Sequence, residues 1–210
     1  MNLFQYDSAF SKGLTRVMDF LMLNVLWIIC SLPIVTMGAA TTALYYSMIK
    51  IVREKDSGIV KMFFHSFFQN LKQGCCLTII FLIGGIALYW GIQTYSTIGS
   101  SFSTIAMTIL IVLLIIWGIM FSYAFPLLAQ FDNTIKNTIK NAFLISISNL
   151  KKTLIVTSLN LLPIILYLGL PYIFVLSLPF WLFWGIAIIA FFNTKIFVRI
   201  FDTYIVTDEE

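Results

Sequence analysis

The chain is poor in charge. Only 10% of its 210 residues are Asp, Glu, Lys or Arg, where a soluble domain carries about a quarter. A chain so short of polar groups cannot cover itself against water, so lipid must be its outer solvent. Histidine is nearly absent, with His65 alone, and cysteine is scarce, with Cys30, Cys75 and Cys76. An odd cysteine count with two immediate neighbours argues against a disulfide framework, and no Cys or His spacing suits a metal. H-E-x-x-H, G-x-S-x-G and Walker-type glycine loops are missing as well. The expectation is a protein that is not an enzyme, with no cofactor and no nucleic-acid partner.

What is present is apolar. Hydrophobic residues make up 60% of the chain, Phe alone contributes 20, and the mean hydropathy is +0.97. Six apolar runs stand out, at 17–35, 39–53, 75–95, 104–129, 153–170 and 179–199. They predict an all-α polytopic membrane bundle of six transmembrane helices, as a single domain over 1–210. Its parts are an N-terminal hairpin (1–56) and two units of surface helix plus hairpin (57–130 and 131–210). The second run is the shortest and most polar, which suits a helix facing protein. Pro126 and Pro163 fall inside the fourth and fifth runs, where each removes an intrahelical hydrogen bond and favours a kink. Residues 1–16 are polar and aromatic and read as a short surface helix. Lys12 and Arg16, an apolar run and Gly38-Ala39-Ala40 imitate a signal peptide. The run is long for that role, and the apolar pattern resumes at once, so it reads as an uncleaved first span.

Charge orients the spans. With six spans and both termini cytoplasmic, all 13 basic and all nine acidic residues fall on the inner side. The outer connections near Thr36, at 95–103 and at 171–177 then carry no charge. Omitting the second span would split the basic residues across both sides, against the positive-inside rule.

Two inner loops carry amphipathic helices, at 61–73 and 133–152. Phe63, Phe64, Phe67, Phe68 and Leu71 share one face of the first; Ile135, Ile139, Ala142, Phe143, Ile147 and Leu150 recur at helical spacing in the second. Each runs directly into an apolar span, and Asn70-Leu71-Lys72 matches Asn149-Leu150-Lys151 in position. That pattern predicts a parallel internal repeat. The apolar faces suit lipid or the bundle. The polar faces, with Gln69, Asn70 and Lys72 on the first and Lys136, Lys140 and Asn141 on the second, are candidates for docking a partner. His65 lies on the polar face of the first helix and reads as solvated.

The most distinctive stretch is 24–46, NVLWIICSLPIVTMGAATTALYY. Pro33 removes a backbone donor and Gly38 tolerates unusual backbone angles, so Pro33, Thr36 and Gly38 read as the hinge of a membrane hairpin. Polar groups inside the spans are neutral. Asn24, Ser31, Thr41, Thr42, Tyr45 and Asn160 are candidates for a polar path, against the plainer reading of hydrogen bonds between helices. Further neutral polar groups in the spans are Thr78, Gln93, Ser122, Tyr123 and Asn193. Arg16 and Asp19 are spaced to pair at the start of the first span, and Lys195 can snorkel to an interface.

SLPIVTMGAATTALYY at 31–46, preceded by Asp19, Asn24 and Trp27, resembles the signature of the YesL-like family of small bacterial integral membrane proteins, a domain of unknown function. FFQNLK at 67–72, and FDNTIKN at 131–137 followed by KNA at 140–142, resemble the two surface helices of that family, so the resemblance runs along the chain. Its members are typically encoded beside sugar-uptake ABC transporters and polysaccharide-degrading enzymes in Gram-positive bacteria. The resemblance implies a non-enzymatic accessory protein of carbohydrate uptake, associated with permease or ATPase subunits. The alternative is a stand-alone channel or facilitator for a small neutral polar solute. The oligomeric state stays open.

Overall fold

A computed structural model describes residues 9–55 and 58–205, with side chains from residue 13 onward. Residues 1–8 of the expected N-terminal surface helix, and residues 206–210, lie outside the described residues. Helix α1 (Ala9–Ser31) continues unbroken from the expected surface segment into the first apolar run. A 3-10 turn at Ile34–Thr36 joins it to α2 (Met37–Val52). The chain then forms α3 (Ile59–Gln69), α4 (Leu71–Ser96), α5 (Ser101–Gln130), α6 (Ile135–Ser148) and α7 (Leu150–Gly169). A short α8 (Pro171–Leu176) leads into α9 (Leu178–Ile205), which contains a π-helical turn at Trp181–Gly185. The described residues contain no strand. The fold is an all-α membrane bundle.

Among the described residues, five helices are long and apolar enough to cross a membrane: Gly13–Ser31 of α1, α4, α5, α7 and α9. The expected second span forms where predicted, as α2, but has 16 residues. At a rise of about 1.5 Å per residue it reaches roughly 24 Å, short of a hydrocarbon core of about 30 Å. Its neighbours account for its composition. It packs against α1, α3, α4, α5 and α9, and Ala39, Ala40, Ala43 and Met48 are fully buried. Thr and Ser residues are tolerable on a helix whose surroundings are protein rather than lipid. The prolines stay inside their helices, Pro126 in α5 and Pro163 in α7.

The surface helices end earlier than their amphipathic pattern. Asn70 and Asn149 break them from the spans that follow, and the two breaks are built alike. The Asn70 side-chain amide donates to Ser66 O (3.0 Å), and that of Asn149 to Ile145 O (3.1 Å). Each asparagine carbonyl then accepts from the following helix, from Gly74 N (2.8 Å) and Thr153 N (2.9 Å). With Asn70 set against Asn149 in the sequence, buried positions coincide: Phe63 with Ala142, Phe67 with Ser146, Leu77 with Val156. The repeat seen in the sequence is therefore also a repeat of packing. It extends one helix further back, since α3 packs on α2 as α6 packs on α5.

The hinge owes its form to close backbone approach. Gly38 of α2 lies against α4, and a Cβ there would fall onto Thr78 Oγ1 and within 2.5 Å of both Gly74 O and the Phe125 ring. A Cβ on Gly74 would lie 2.6 Å from Ala39 N. Thr78 Oγ1 accepts from Gly38 N (3.0 Å) and donates to Gly74 O (2.8 Å), so one hydroxyl ties both backbones. Thr36 closes the turn itself, its hydroxyl reaching Cys30 O (2.7 Å) and Pro33 O (2.8 Å). Pro33 precedes the 3-10 turn and is exposed.

This geometry ranks three substitutions. Gly38→Leu overpacks a place closed by the Gly74 carbonyl and by the buried Thr78 and Phe125 side chains, and should cost at least the roughly 1–3 kcal/mol typical of overpacking. Pro33→Leu at an exposed turn should lose less than Gly38→Leu, and Cys30→Ala least. The check is the monodisperse yield of each variant in mild detergent; equal yields would show that the crossing of α2 and α4 tolerates bulk.

Candidate functional site

The predicted polar-path residues separate into two kinds of place. Asn24 belongs to a structural joint. Its side-chain amide donates to Trp181 O (3.1 Å) and Leu182 O (2.7 Å), and its Oδ1 accepts from Ala187 N (2.9 Å). One buried side chain thus satisfies the backbone groups that the π turn of α9 leaves open, the kind of insertion that perturbs a helical ladder. Thr42 is likewise spent, donating to Gly38 O (2.8 Å). The Ser31 hydroxyl is buried with no hydrogen-bond partner.

Thr41, Tyr45 and Asn160 come together. With Trp27, Ser122 and Phe125 they border a cavity of about 230 Å³ between α1, α2, α5, α7 and α9. Thr41 accepts from Trp27 Nε1 (3.0 Å) and donates to Met37 O (2.7 Å). Behind the wall stands Asn193, fully buried, whose Nδ2 donates to Asn160 Oδ1 (2.7 Å) and to Tyr45 OH (3.4 Å). Asn193 is the residue that joins this cluster, and periodicity alone did not single it out from the other neutral polar groups.

The docking candidates also separate. Arg53 of the α2–α3 loop pairs with Asp202 near the end of α9 (2.6 Å), and this charged end of the bundle also holds α3, the α5–α6 loop and α6. There Gln69, Asn70 and Lys72 border a notch of about 490 Å³ facing Phe131, Asp132 and Asn133. Asn141 lies in the adjoining recess of about 300 Å³, which shares Phe131 and Asn133 as walls. Lys136 and Lys140 are exposed and line neither. The apolar face of each helix is only partly buried: on α3, Phe63 and Phe67 are buried in the bundle whereas Phe68 is 67% exposed, and on α6, Ala142 is buried whereas Ile147 is exposed. His65 is exposed, its ring 6.4 Å from that of Tyr46. Phe131 and Asp132 entered the sequence reading only through the family resemblance, because a loop joins the notch through topology rather than periodicity.

Fold and site together define a multi-pass helical membrane protein. A family model described as "Protein of unknown function, DUF624" matches residues 20–92, from within α1 through most of α4. The matched stretch holds Asn24, the hinge, the crossing of α2 and α4, and the Gln69–Lys72 side of the notch. No curated protein and no solved structure matches the chain.

Two substitutions should separate a working polar group from an idle one. Asn24→Leu strips the π turn of three hydrogen bonds and leaves buried backbone groups unpaired, a loss of roughly 1–3 kcal/mol. Ser31→Ala removes a hydroxyl that bonds nothing and should stay within about 0.5 kcal/mol. Thermal unfolding in detergent checks both; equal shifts would remove the joint from the account of α9.

Proposed function

We propose that the protein is a non-enzymatic accessory membrane protein of a carbohydrate uptake system. It holds a permease or ATPase subunit against its charged end. The observation that carries this reading is the notch, where Gln69, Asn70 and Lys72 meet Asp132 and Asn133. Amides there can donate to and accept from a polypeptide backbone, and one charge of each sign sets register, as polar interface rims do. The resemblance to YesL-like membrane proteins supports the link to sugar uptake and to a Gram-positive setting. It extends past the matched stretch through FDNTIKN, whose first four residues line the far wall of the notch.

In this reading the charged end faces the cytoplasm, supported by the one-sided distribution of Lys and Arg. Both termini are then internal, and α2 completes a sixth pass despite its length. The alternative, a facilitator for a neutral polar solute such as a sugar, draws on the cavity beside Tyr45. A sugar bears a hydroxyl on nearly every carbon, and walls of Trp27, Leu44, Phe121 and Phe125 would leave most of them unpaired.

Photocrosslinkers at Gln69 and Asn133, on opposite walls, test the docking role in native membranes. Both should capture the same permease or ATPase subunit. Lys72→Glu should weaken capture roughly tenfold, a change of about 1.4 kcal/mol, while Lys140→Glu, outside the notch, should leave it intact. Capture of no transporter subunit, or indifference to Lys72→Glu, would refute the proposal. For orientation, a cysteine at Ser100 should label from outside intact cells and one at Lys136 should be protected; the reverse pattern would invert the topology.

A further inference from the structure

We infer that the cavity between α1, α2, α5, α7 and α9 is a binding site for a small uncharged amphiphile drawn from the bilayer, one that carries a single hydroxyl or carbonyl on an apolar body. This goes beyond docking at the charged end and does not depend on it. The first observation is a set of hydrogen-bonding groups left unspent at one place. Asn193 Oδ1 is buried without a partner, although Asn193 itself is fully buried and native interiors seldom leave such groups unpaired. The Tyr45 hydroxyl accepts from Asn193 but has no acceptor for its own proton, and the Asn160 Nδ2 donates to nothing. Turning the amides does not remove the deficit. With both reversed, Asn193 Oδ1 could accept from Tyr45 and Asn160, but one end of each amide would still be idle. Tyr45 and Asn160 both border the cavity, so part of this unspent capacity is presented there.

The second observation is the rest of the lining. Phe121, Phe125, Ile186 and Ile189 supply carbon surface. The other hydroxyls are already committed, Thr41 to Met37 O and Ser122 to Gly118 O. The site therefore matches one polar group and an apolar body, the usual division in small-molecule sites. Phe121 and Ser122 of α5 and Asn160 of α7 are all partly exposed on a surface that lipid covers, which gives a lateral entrance. Size narrows the class further. A cavity of about 150 Å³ takes up benzene, so 230 Å³ suits a molecule of roughly eight to ten heavy atoms, or the polar end of a longer one. A hydroxyl fits best, because it can accept from Tyr45 or Asn160 and donate to an amide oxygen.

The test uses the full chain in lipid nanodiscs and a diazirine-bearing octanol as photoprobe. Labelling should saturate and fall on α2, α5, α7 or α9 at the cavity walls. Unlabelled octanol should displace the probe at concentrations at least tenfold lower than octane needs. Asn160→Leu should weaken labelling about tenfold, and Ser122→Phe, which fills the cavity from α5, should abolish it. Ile189→Phe fills it from α9 and serves as the second variant, with elution profile and thermal unfolding confirming the fold of each. Labelling that never saturates and spreads over all lipid-facing helices would overturn the site. So would equal competition by octane, or full labelling of a folded cavity-filled variant.

Discussion

The bundle depends on the crossing of α2 and α4, where Gly38 and Gly74 let two backbones approach closely and one hydroxyl, that of Thr78, bridges them. In lipid the hydrophobic effect does not drive helix against helix, so close packing and hydrogen bonding must hold the spans together. Gly38, Ala39 and Gly74 permit the approach, and the Thr78 hydroxyl binds both chains at once. Everything central follows from it. Only because α2 sits this deep can it touch five helices, and only then does Tyr45 reach the ring of Phe197 (5.8 Å), which in turn meets Tyr123 (5.0 Å).

A second constraint is that backbone groups inside a membrane cannot turn to water. Several backbone groups in the described spans are met by side chains. Thr36 returns its hydroxyl to the carbonyls at the turn. Asn24 serves the π turn of α9 from a different helix. Trp117 Nε1 reaches Phe81 O across the α4–α5 hairpin (3.1 Å). Ser31, Ser47 and Thr157 keep buried hydroxyls without a partner, but only at Asn193 does the unpaired group adjoin two side chains, Tyr45 and Asn160, that line a cavity.

Much of the architecture was legible in the sequence because lipid imposes long apolar runs. Five runs became helices that can cross, and both surface helices formed from their periodic Phe and Ile faces. The shortness of α2 and its place against protein were legible, but composition does not name the partners of a helix enclosed by its neighbours. Its small residues did hold the answer: Gly38 and Thr42 on α2, and Gly74 and Thr78 on α4, are each four apart, the spacing of close helix contacts in membranes. Gly74 had drawn no notice because the apolar run was counted from Cys75. The site was harder to read. Lys136, Lys140 and Asn141 were grouped with Gln69, Asn70 and Lys72 as the polar faces of two surface helices, yet the bundle places Asp132 and Asn133 opposite the first trio instead. Asn160 and Asn193 lie on different helices, and no periodicity within one helix reveals a pair formed between two.

The asparagine breaks also have a mechanical meaning. Asn70 closes α3 and its carbonyl begins the hydrogen bonding of α4, and Asn149 does the same between α6 and α7. No flexible linker separates surface helix from span, so each pair is a cranked lever with a single-residue elbow. A load applied to the surface arm has no slack to absorb it and must be carried into the membrane arm. On the first lever that arm holds Gly74 and Thr78, so a tug at the membrane surface would be felt at the crossing that keeps the bundle closed.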